Sequence, residues 1–379
     1  MLDCIIIGAG PGGGSAAYHL AKRGRKVLVV DKAKLPRPRP CGGGVSPAVA
    51  QWFDFDFSEA IAAKVNRVRF TWKHDDPVEA ELETEPMWMV RRDVFDRLLL
   101  AEAQKLGAEV REETEIIALE FNGSAWQIRT PQGNFEATYA IGADGAMGIC
   151  AQQFGLEVGE VRPGGVLDIQ APPEAIDTVR FDFGSLNKGF IWDFPQGTSH
   201  SASAVMMRGT AKPRDIKKQL LNYAAKLNLN ETQFTYYDVP TKLWREDLVL
   251  HGQNALLVGD AAGLADPLLA EGIRPALLSG MKAAEAIDRA LSGDRDSLEN
   301  YTRVLQEEWG KDMGYAKTWG DFFYNKFNIP GMSSQIYKIG VKRPIAAKIM
   351  SQILCGEKRY SDVGEQVIKV FKKFFKLGK

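Results

Sequence analysis

The first 31 residues constrain the fold of this 379-residue chain more tightly than any other stretch. Asp3-Cys4-Ile5-Ile6-Ile7 reads as a short buried strand that ends in Gly8-Ala9-Gly10-Pro11-Gly12-Gly13-Gly14. A helix of small and polar residues over 15–23 follows, and a second β-branched strand, Lys26-Val27-Leu28-Val29-Val30, closes on Asp31. Strand, glycine turn, helix, strand and terminal acid in that order form a βαβ dinucleotide fingerprint. Gly8 permits the tight turn, Gly10 lets backbone N–H groups approach a pyrophosphate, and Gly13 lets the helix pack close to the strand. The helix N-terminus adds partial positive charge. Asp31 is placed to accept the ribose hydroxyls of an adenosine.

The length suits one large or two medium domains, at roughly 100 to 200 residues each. Lys+Arg and Asp+Glu both total 48, which leaves no broad basic face for nucleic acid. The four cysteines, Cys4, Cys41, Cys150 and Cys355, are far apart without metal-ligand spacing, and the four histidines are isolated. Reduced thiols in a cytoplasmic setting are therefore expected, with no metal site. No secretion leader and no apolar run of about 18 residues is found, so the chain reads as soluble or peripheral to a membrane.

Residues 32–40 are basic and proline-rich, and they lead into Cys41-Gly42-Gly43-Gly44. Such a glycine run is either a flexible loop or a place where backbone passes against a flat ligand, and its position just after the dinucleotide unit favours the second. Residues 65–72 and 78–90 alternate as strands, and Arg91-Arg92-Asp93 opens a helix to about Gly107. Arg92, at the mouth of that helix, either reaches a phosphate or flavin edge or lies on the surface. Short strands follow to Ile141, with a hairpin signal of the type I′ kind at Asn122-Gly123, and the last ends in Gly142-Ala143-Asp144-Gly145. Between about 155 and 250 the chain is β-rich with one helix, and it contains Phe190-Ile191-Trp192-Asp193-Phe194-Pro195. The period of two puts Phe190, Trp192 and Phe194 on one strand face, either a core face or an apolar substrate wall.

A buried strand, Asn254-Ala255-Leu256-Leu257-Val258, then feeds Gly259-Asp260-Ala261-Ala262-Gly263, and Ala270-Glu271-Gly272-Ile273 opens a long helix. Three glycine-bearing strand ends are thus expected to converge on one ligand, in a domain that is discontinuous in sequence. The C-terminal region is helical and aromatic. Its tail over 367–379 sets Val367, Val370, Phe371 and Phe374 on one helical face with lysines opposite, fitting either an anionic bilayer surface or a solvated or docked helix.

The starting motif, Asp144-Gly145 and Gly259-Asp260-Ala261-Ala262-Gly263 resemble the three FAD signatures of the para-hydroxybenzoate hydroxylase superfamily. Within it, Pro40-Cys41-Gly42-Gly43-Gly44 and the 190–195 stretch resemble the geranylgeranyl reductase family, whose members use reduced FAD to saturate isoprenoid double bonds. The resemblance implies a mixed α/β fold: a Rossmann-type FAD-binding domain in three parts (1–70, 93–155 and 251–293), strands 71–92, an inserted β-rich substrate domain (156–250) and a helical C-terminal region (294–379).

It also implies that Gly8, Gly10, Gly13 and Asp31 hold the ADP half, with Pro11 and Lys32 beside them. Arg92, Asp144 and Gly145 would contact FAD, Gly259 and Asp260 the ribityl and pyrophosphate region, and Gly272 and Ile273 the isoalloxazine. Cys41, Gly42, Gly43 and Gly44 would sit by the flavin, with Cys41 the candidate proton source by location. Phe190, Trp192 and Phe194 would line the prenyl channel. The chain departs from the family pattern at Phe190, where tyrosine is common, at Gly148, where serine is common, at Leu269 and Ala270, and at Arg274.

The implied activity is ene-reduction, with hydride from reduced flavin to one alkene carbon and a proton to the other. NADPH or a ferredoxin would be a transient electron donor, and a peripheral membrane contact would run through the tail. A flavin monooxygenase on the same scaffold, and a membrane-surface flavoprotein without turnover, are the competing readings.

Overall fold

The computed structural model describes residues 1–37, 40–82, 85–157, 159–210, 212–326 and 344–364. The main run of the eight-stranded central sheet is His251–Gly252, Ala255–Leu257, Gly133–Gly142, Leu2–Ile7, Val27–Val30, Glu109–Arg111, parallel throughout but for the first pair, and Trp126–Thr130 and Ala118–Phe121 add antiparallel beside Gly133–Gly142. Apolar β-branched runs with no polar alternation suit such strands, because both faces are covered. The first strand is accordingly buried from Cys4 onward. Ile7 pairs with Gly142, and Gly142 with Leu257. Three strand ends that are distant in sequence therefore lie side by side, and their glycine turns open on one rim.

The helices Pro11–Lys22, Arg92–Lys105 and Ile273–Leu291 pack together against this sheet. Small residues set their spacing. A Cβ at Gly280 would lie 2.3 Å from the Gly12 carbonyl oxygen, and one at Gly14 would lie 2.8 Å from Leu99 Cβ. The Ser15 hydroxyl donates to the Leu277 carbonyl at 2.7 Å across the same seam.

A second, seven-stranded sheet runs Phe234–Asp238, Gly164–Ile169, Ser199–Met206, Gly189–Gln196, Thr178–Phe183, Arg67–Trp72, Asp75–Glu81. Arg67–Trp72 lies parallel to Thr178–Phe183 in register, so an early segment joins the β-rich unit. The helix Pro213–Lys226 covers one face, packing Ile216, Leu220 and Tyr223 on Leu167, Ile191 and Ala202. The other face turns toward the glycine rim. A small sheet of Gly44–Val45, Met87–Val90 and Ile61–Val65 lies between the two.

The hairpin at Asn122 forms, but not with a two-residue turn. The Asn122 carboxamide oxygen accepts the Ser124 and Ala125 N–H groups, and this local side-chain bond holds a wider loop. After Ser297–Leu305, the helix Lys311–Lys326 follows a short π-helical stretch, and Pro344–Leu354 packs last. Buried aromatic groups tie these helices to the site loops: Tyr301 donates to the Leu257 carbonyl at 2.6 Å, Trp309 to Leu264 at 3.2 Å and Tyr324 to Leu268 at 2.7 Å. Among the described residues no helix is long and apolar enough to cross a membrane. Phe327, Pro330-Gly331 and the basic tail over 367–379 lie outside the described residues.

Candidate active site

The three strand ends, the glycine loop after Pro40 and the inner face of the second sheet enclose a cavity of about 180 Å³. Gly10, Pro11, Gly145, Gly259, Asp260, Gly272 and Ile273 all line it, as do Cys41, Gly42 and Arg92. Each glycine of the first turn has a different reason to be one. Gly8 has φ +108° and a Cβ there would lie 2.3 Å from the Ala143 carbonyl oxygen, while a Cβ at Gly13 would lie 1.9 Å from the Gly8 carbonyl oxygen. No atom lies within 4 Å of a Cβ at Gly10, so the space above the turn is open to a ligand. On the opposite wall the buried Ser203 hydroxyl has no hydrogen-bond partner among the described residues. An open turn at a helix N-terminus and an orphaned hydroxyl across a two-domain cavity fit a dinucleotide such as FAD.

Asp31 is buried and does not line the cavity wall. One carboxylate oxygen accepts the Ala9 N–H at 2.8 Å and Arg37 Nη2 at 2.9 Å, and the other accepts the Ala33 N–H at 2.9 Å. It thus holds the glycine turn from behind. Lys32 is exposed and is not among the residues lining the cavity. Asp144 also lies outside the lining, with one oxygen accepting the Cys150 N–H at 2.9 Å and the other buried without a hydrogen-bond partner among the described residues.

Arg92 is buried and makes a two-point pair with Asp96, both contacts 2.9 Å. Burial works against its charge, but the Asp96 carboxylate and the nearby Cys41 sulfur outweigh that and hold the guanidinium above its ordinary pKa. Cys41 Sγ also accepts the Gly43 N–H at 3.4 Å.

Close neighbours within the chain account for all three glycines of the run, and Gly42 also lines the first cavity. A Cβ at Gly42 would lie 2.7 Å from the Phe194 ring and 3.0 Å from Trp192 Nε1, and one at Gly44 would lie 2.7 Å from Phe194. Gly43 has φ +72° and faces the Val90 carbonyl.

Beyond Cys41, Gly42 and Trp192 lies a second cavity of about 100 Å³, sharing those residues with the first. Gly43, Gly44, Phe194 and Phe181 line it, with Met87, Leu269, Ile353 and Leu354. Phe190 does not reach it. It is fully buried, stacked on Phe183 at 5.7 Å with Trp192 at 5.0 Å, and takes the core-face role that strand periodicity also allows.

Of the polar end of this cavity the sequence pointed only to Arg274, as a departure from the family pattern. Asp266, Glu271 and Arg274 line it. Burial raises the pKa of both carboxyl groups, against the opposing effect of the Tyr360 hydroxyl on Asp266 and of Arg274 on Glu271. The sequence reading missed Val205 and Ser203 on the second-sheet wall, Thr241 on a short two-stranded pair beside it, and Lys242, buried near Asp144 and Asp260, whose pKa burial lowers. Small and β-branched residues on a strand carry no local sign of what they face, and these gave none.

Residues 1–304 match the family described as FAD binding domain. A geranylgeranyl diphosphate reductase of Rhodobacter capsulatus is 30% identical, over 85% of this chain and 84% of that protein. A digeranylgeranylglycerophospholipid reductase of Methanosphaera stadtmanae is 28% identical, over 86% of this chain and 87% of that protein. The solved structure of a geranylgeranyl bacteriochlorophyll reductase-like protein from Thermoplasma acidophilum superposes with a TM-score of 0.82 at 21% identity, over 97% of this chain and 99% of that one.

Proposed function

This chain belongs to the FAD-dependent geranylgeranyl reductase family, and from that premise we propose that it saturates carbon–carbon double bonds of an isoprenoid chain. The observation that carries the reading is the second cavity. It meets the flavin cavity at Cys41, Gly42 and Trp192, and much of its wall is apolar: Met87, Phe181, Phe194, Leu269, Ile353 and Leu354. An alkene develops little charge that an oxyanion hole could grip, so position and exclusion of water are what the chain has to supply.

When bound and reduced, FAD supplies hydride. Gly8, Gly10, Pro11, Gly13, Gly145, Gly259 and Asp260 would hold the cofactor. Asp31 acts through the glycine turn it braces, and Arg92 supplies a buried cation beside Cys41. Trp192 and Phe194 pack on the Gly42–Gly44 loop, which admits the rings because it lacks side chains, and rings and loop together wall the cavity that would take the apolar chain. The sequence carries a single dinucleotide fingerprint, so NADPH would dock transiently or a ferredoxin would deliver electrons. The tail over 367–379 is the proposed contact with an anionic bilayer.

The test is anaerobic. Purified holoprotein is reduced with dithionite, mixed with geranylgeranyl diphosphate or a prenylated glycerophospholipid, and followed by flavin absorbance and lipid mass. Reoxidation with a gain of two hydrogens per double bond supports the reading. A flavin that stays reduced until air enters, with every prenyl chain tried, overturns it.

A further inference from the structure

We infer that Glu271, rather than Cys41, donates the proton that completes alkene reduction, with Arg274 positioned to stabilise the carboxylate left behind; this rests on the reductase reading above. Glu271 lines the second cavity on the turn that leads into the helix Ile273–Leu291, two residues before Ile273, which lines both cavities. The turn is fixed at several points. Asp266 Oδ1 accepts the Leu268 and Leu269 N–H groups at 2.7 and 3.0 Å, the Asp266 N–H donates to the Glu271 carbonyl at 2.9 Å, and Ala270 has φ +56°. Asp266 Oδ2 accepts the Tyr360 hydroxyl at 2.6 Å, which fastens the turn to the C-terminal segment.

The Glu271 carboxyl group is left half-satisfied. Oε1 accepts the Arg274 backbone N–H at 2.7 Å, while Oε2 is buried with no hydrogen bond among the described residues and lies 3.8 Å from Arg274 Nε. A quarter of the side-chain surface stays accessible but Oε2 is enclosed, so the carboxyl group turns about its Cγ–Cδ bond to present the proton to the cavity. A buried carboxylate oxygen without a donor is costly, and the cost falls if that oxygen carries a proton. The direction of the Glu271 pKa, raised chiefly by burial, agrees with this. Arg274 is held over the Trp309 ring at 5.1 Å, and its guanidinium makes no hydrogen bond among the described residues. It is near enough to offset the charge once Glu271 ionises, and not bonded closely enough to force ionisation beforehand.

Cys41 is set differently. Its sulfur accepts an N–H from Gly43 and lies beside the buried Arg92 cation, at the neck between the cavities rather than on the turn before the helix Ile273–Leu291.

The step balances as follows. Hydride from reduced flavin forms a C–H bond at one alkene carbon, the Glu271 Oε2–H bond breaks, and the π-electron pair forms the second C–H bond at the other carbon. The alkene gains two electrons and the flavin loses two. Glu271 is then reprotonated from water, and the flavin is reduced again by the external donor.

The groups that face Glu271 are Asp266 on its own turn, Arg274 on the following helix, Tyr360 hydrogen-bonded to Asp266, and Asp260, whose Oδ1 lies 3.2 Å from a Cβ at Gly272. Any pH profile therefore has to be assigned by variants. Prenyl-driven reoxidation is measured anaerobically against pH for wild type, Glu271→Gln, Arg274→Met and Cys41→Ala. Infrared spectroscopy follows the protonated-carboxyl band without turnover.

The expected result is that Glu271→Gln binds FAD and reoxidises in air like wild type, but reacts with the prenyl chain about 100-fold or more slowly, the usual contribution of a general acid. It should also lose both the alkaline fall in rate and one protonated-carboxyl band. Arg274→Met should move the alkaline fall to higher pH. A Glu271→Gln rate within threefold of wild type, an unchanged alkaline limb, or a carboxyl band absent from wild type at neutral pH overturns the inference while leaving the reductase reading intact. A wild type that reduces no prenyl chain overturns both.

Discussion

The carboxylate of Asp144 rests on Gly148: a Cβ at residue 148 would lie 1.9 Å from Asp144 Cγ and 2.2 Å from each of its oxygens. That contact gives a physical reason for glycine where the resembled family commonly has serine. Held there, Asp144 accepts the Cys150 N–H at the start of Cys150–Gln153.

Gly148→Ser should therefore expel the Asp144 side chain and remove its hydrogen bond to Cys150. The combined overpacking and lost bond should cost about 1–3 kcal/mol, read as a lower urea midpoint at unchanged slope. An unchanged midpoint would show that Asp144 relocates freely.

Gly42→Ala places a methyl group against Phe194 and Trp192 at the neck between the cavities. The rings must shift, at an expected cost of about 1–3 kcal/mol. Flavin content should persist while prenyl-driven reoxidation slows, so parallel cofactor titration and stopped-flow traces check it. Equal loss of both would mean that Gly42 serves the cofactor site alone.

Asp96→Ala strands the Arg92 guanidinium, whose side chain is 8% exposed, without its two-point partner. Removing one member of a buried pair costs about 3–5 kcal/mol. The double replacement Arg92→Met with Asp96→Leu should cost less than the sum of the two single changes, and chemical denaturation of the full cycle measures that coupling.

His19 is buried against Phe53 and Tyr18, and burial followed by the charges of Arg23 and Lys22 lowers its pKa from 6.5 to about 4. The unfolded chain then binds a proton more readily than the folded one. His19 contributes its full stability above the unfolded value, and that contribution is lost as pH falls from about 6.5 toward 4. Wild type should lose about 2 kcal/mol from this group between about pH 7 and 5. His19→Gln should narrow the stability difference between those two pH values by that amount, measured by urea melts at each; an equal difference in both proteins would discount His19.

Much of the cofactor half was legible from residue types. A backbone that must turn at φ +108° favours glycine, and Gly8 signals that turn from its place at the end of the first strand. Arg92 and Cys41 were legible as candidates, and the fold brings both to one cavity. The substrate half was less so. Phe190, Trp192 and Phe194 share a strand face, yet of the three only Trp192 and Phe194 line the two cavities of the site, because Phe183 and Tyr324 stack on Phe190 from elsewhere in the chain.

The sequence by itself determined the βαβ unit, the acid that closes it, and the glycine-bearing strand ends, because those requirements are local to the backbone that carries them. The tertiary structure alone decided that Ile7, Gly142 and Leu257 adjoin, that Arg37 engages Asp31, that Phe194 accounts for Gly42 and Gly44, and that Glu271 meets Arg274 in an apolar cavity. Most of these depend on partners far away along the chain, and even the Glu271–Arg274 pair has meaning only in the cavity that distant segments enclose.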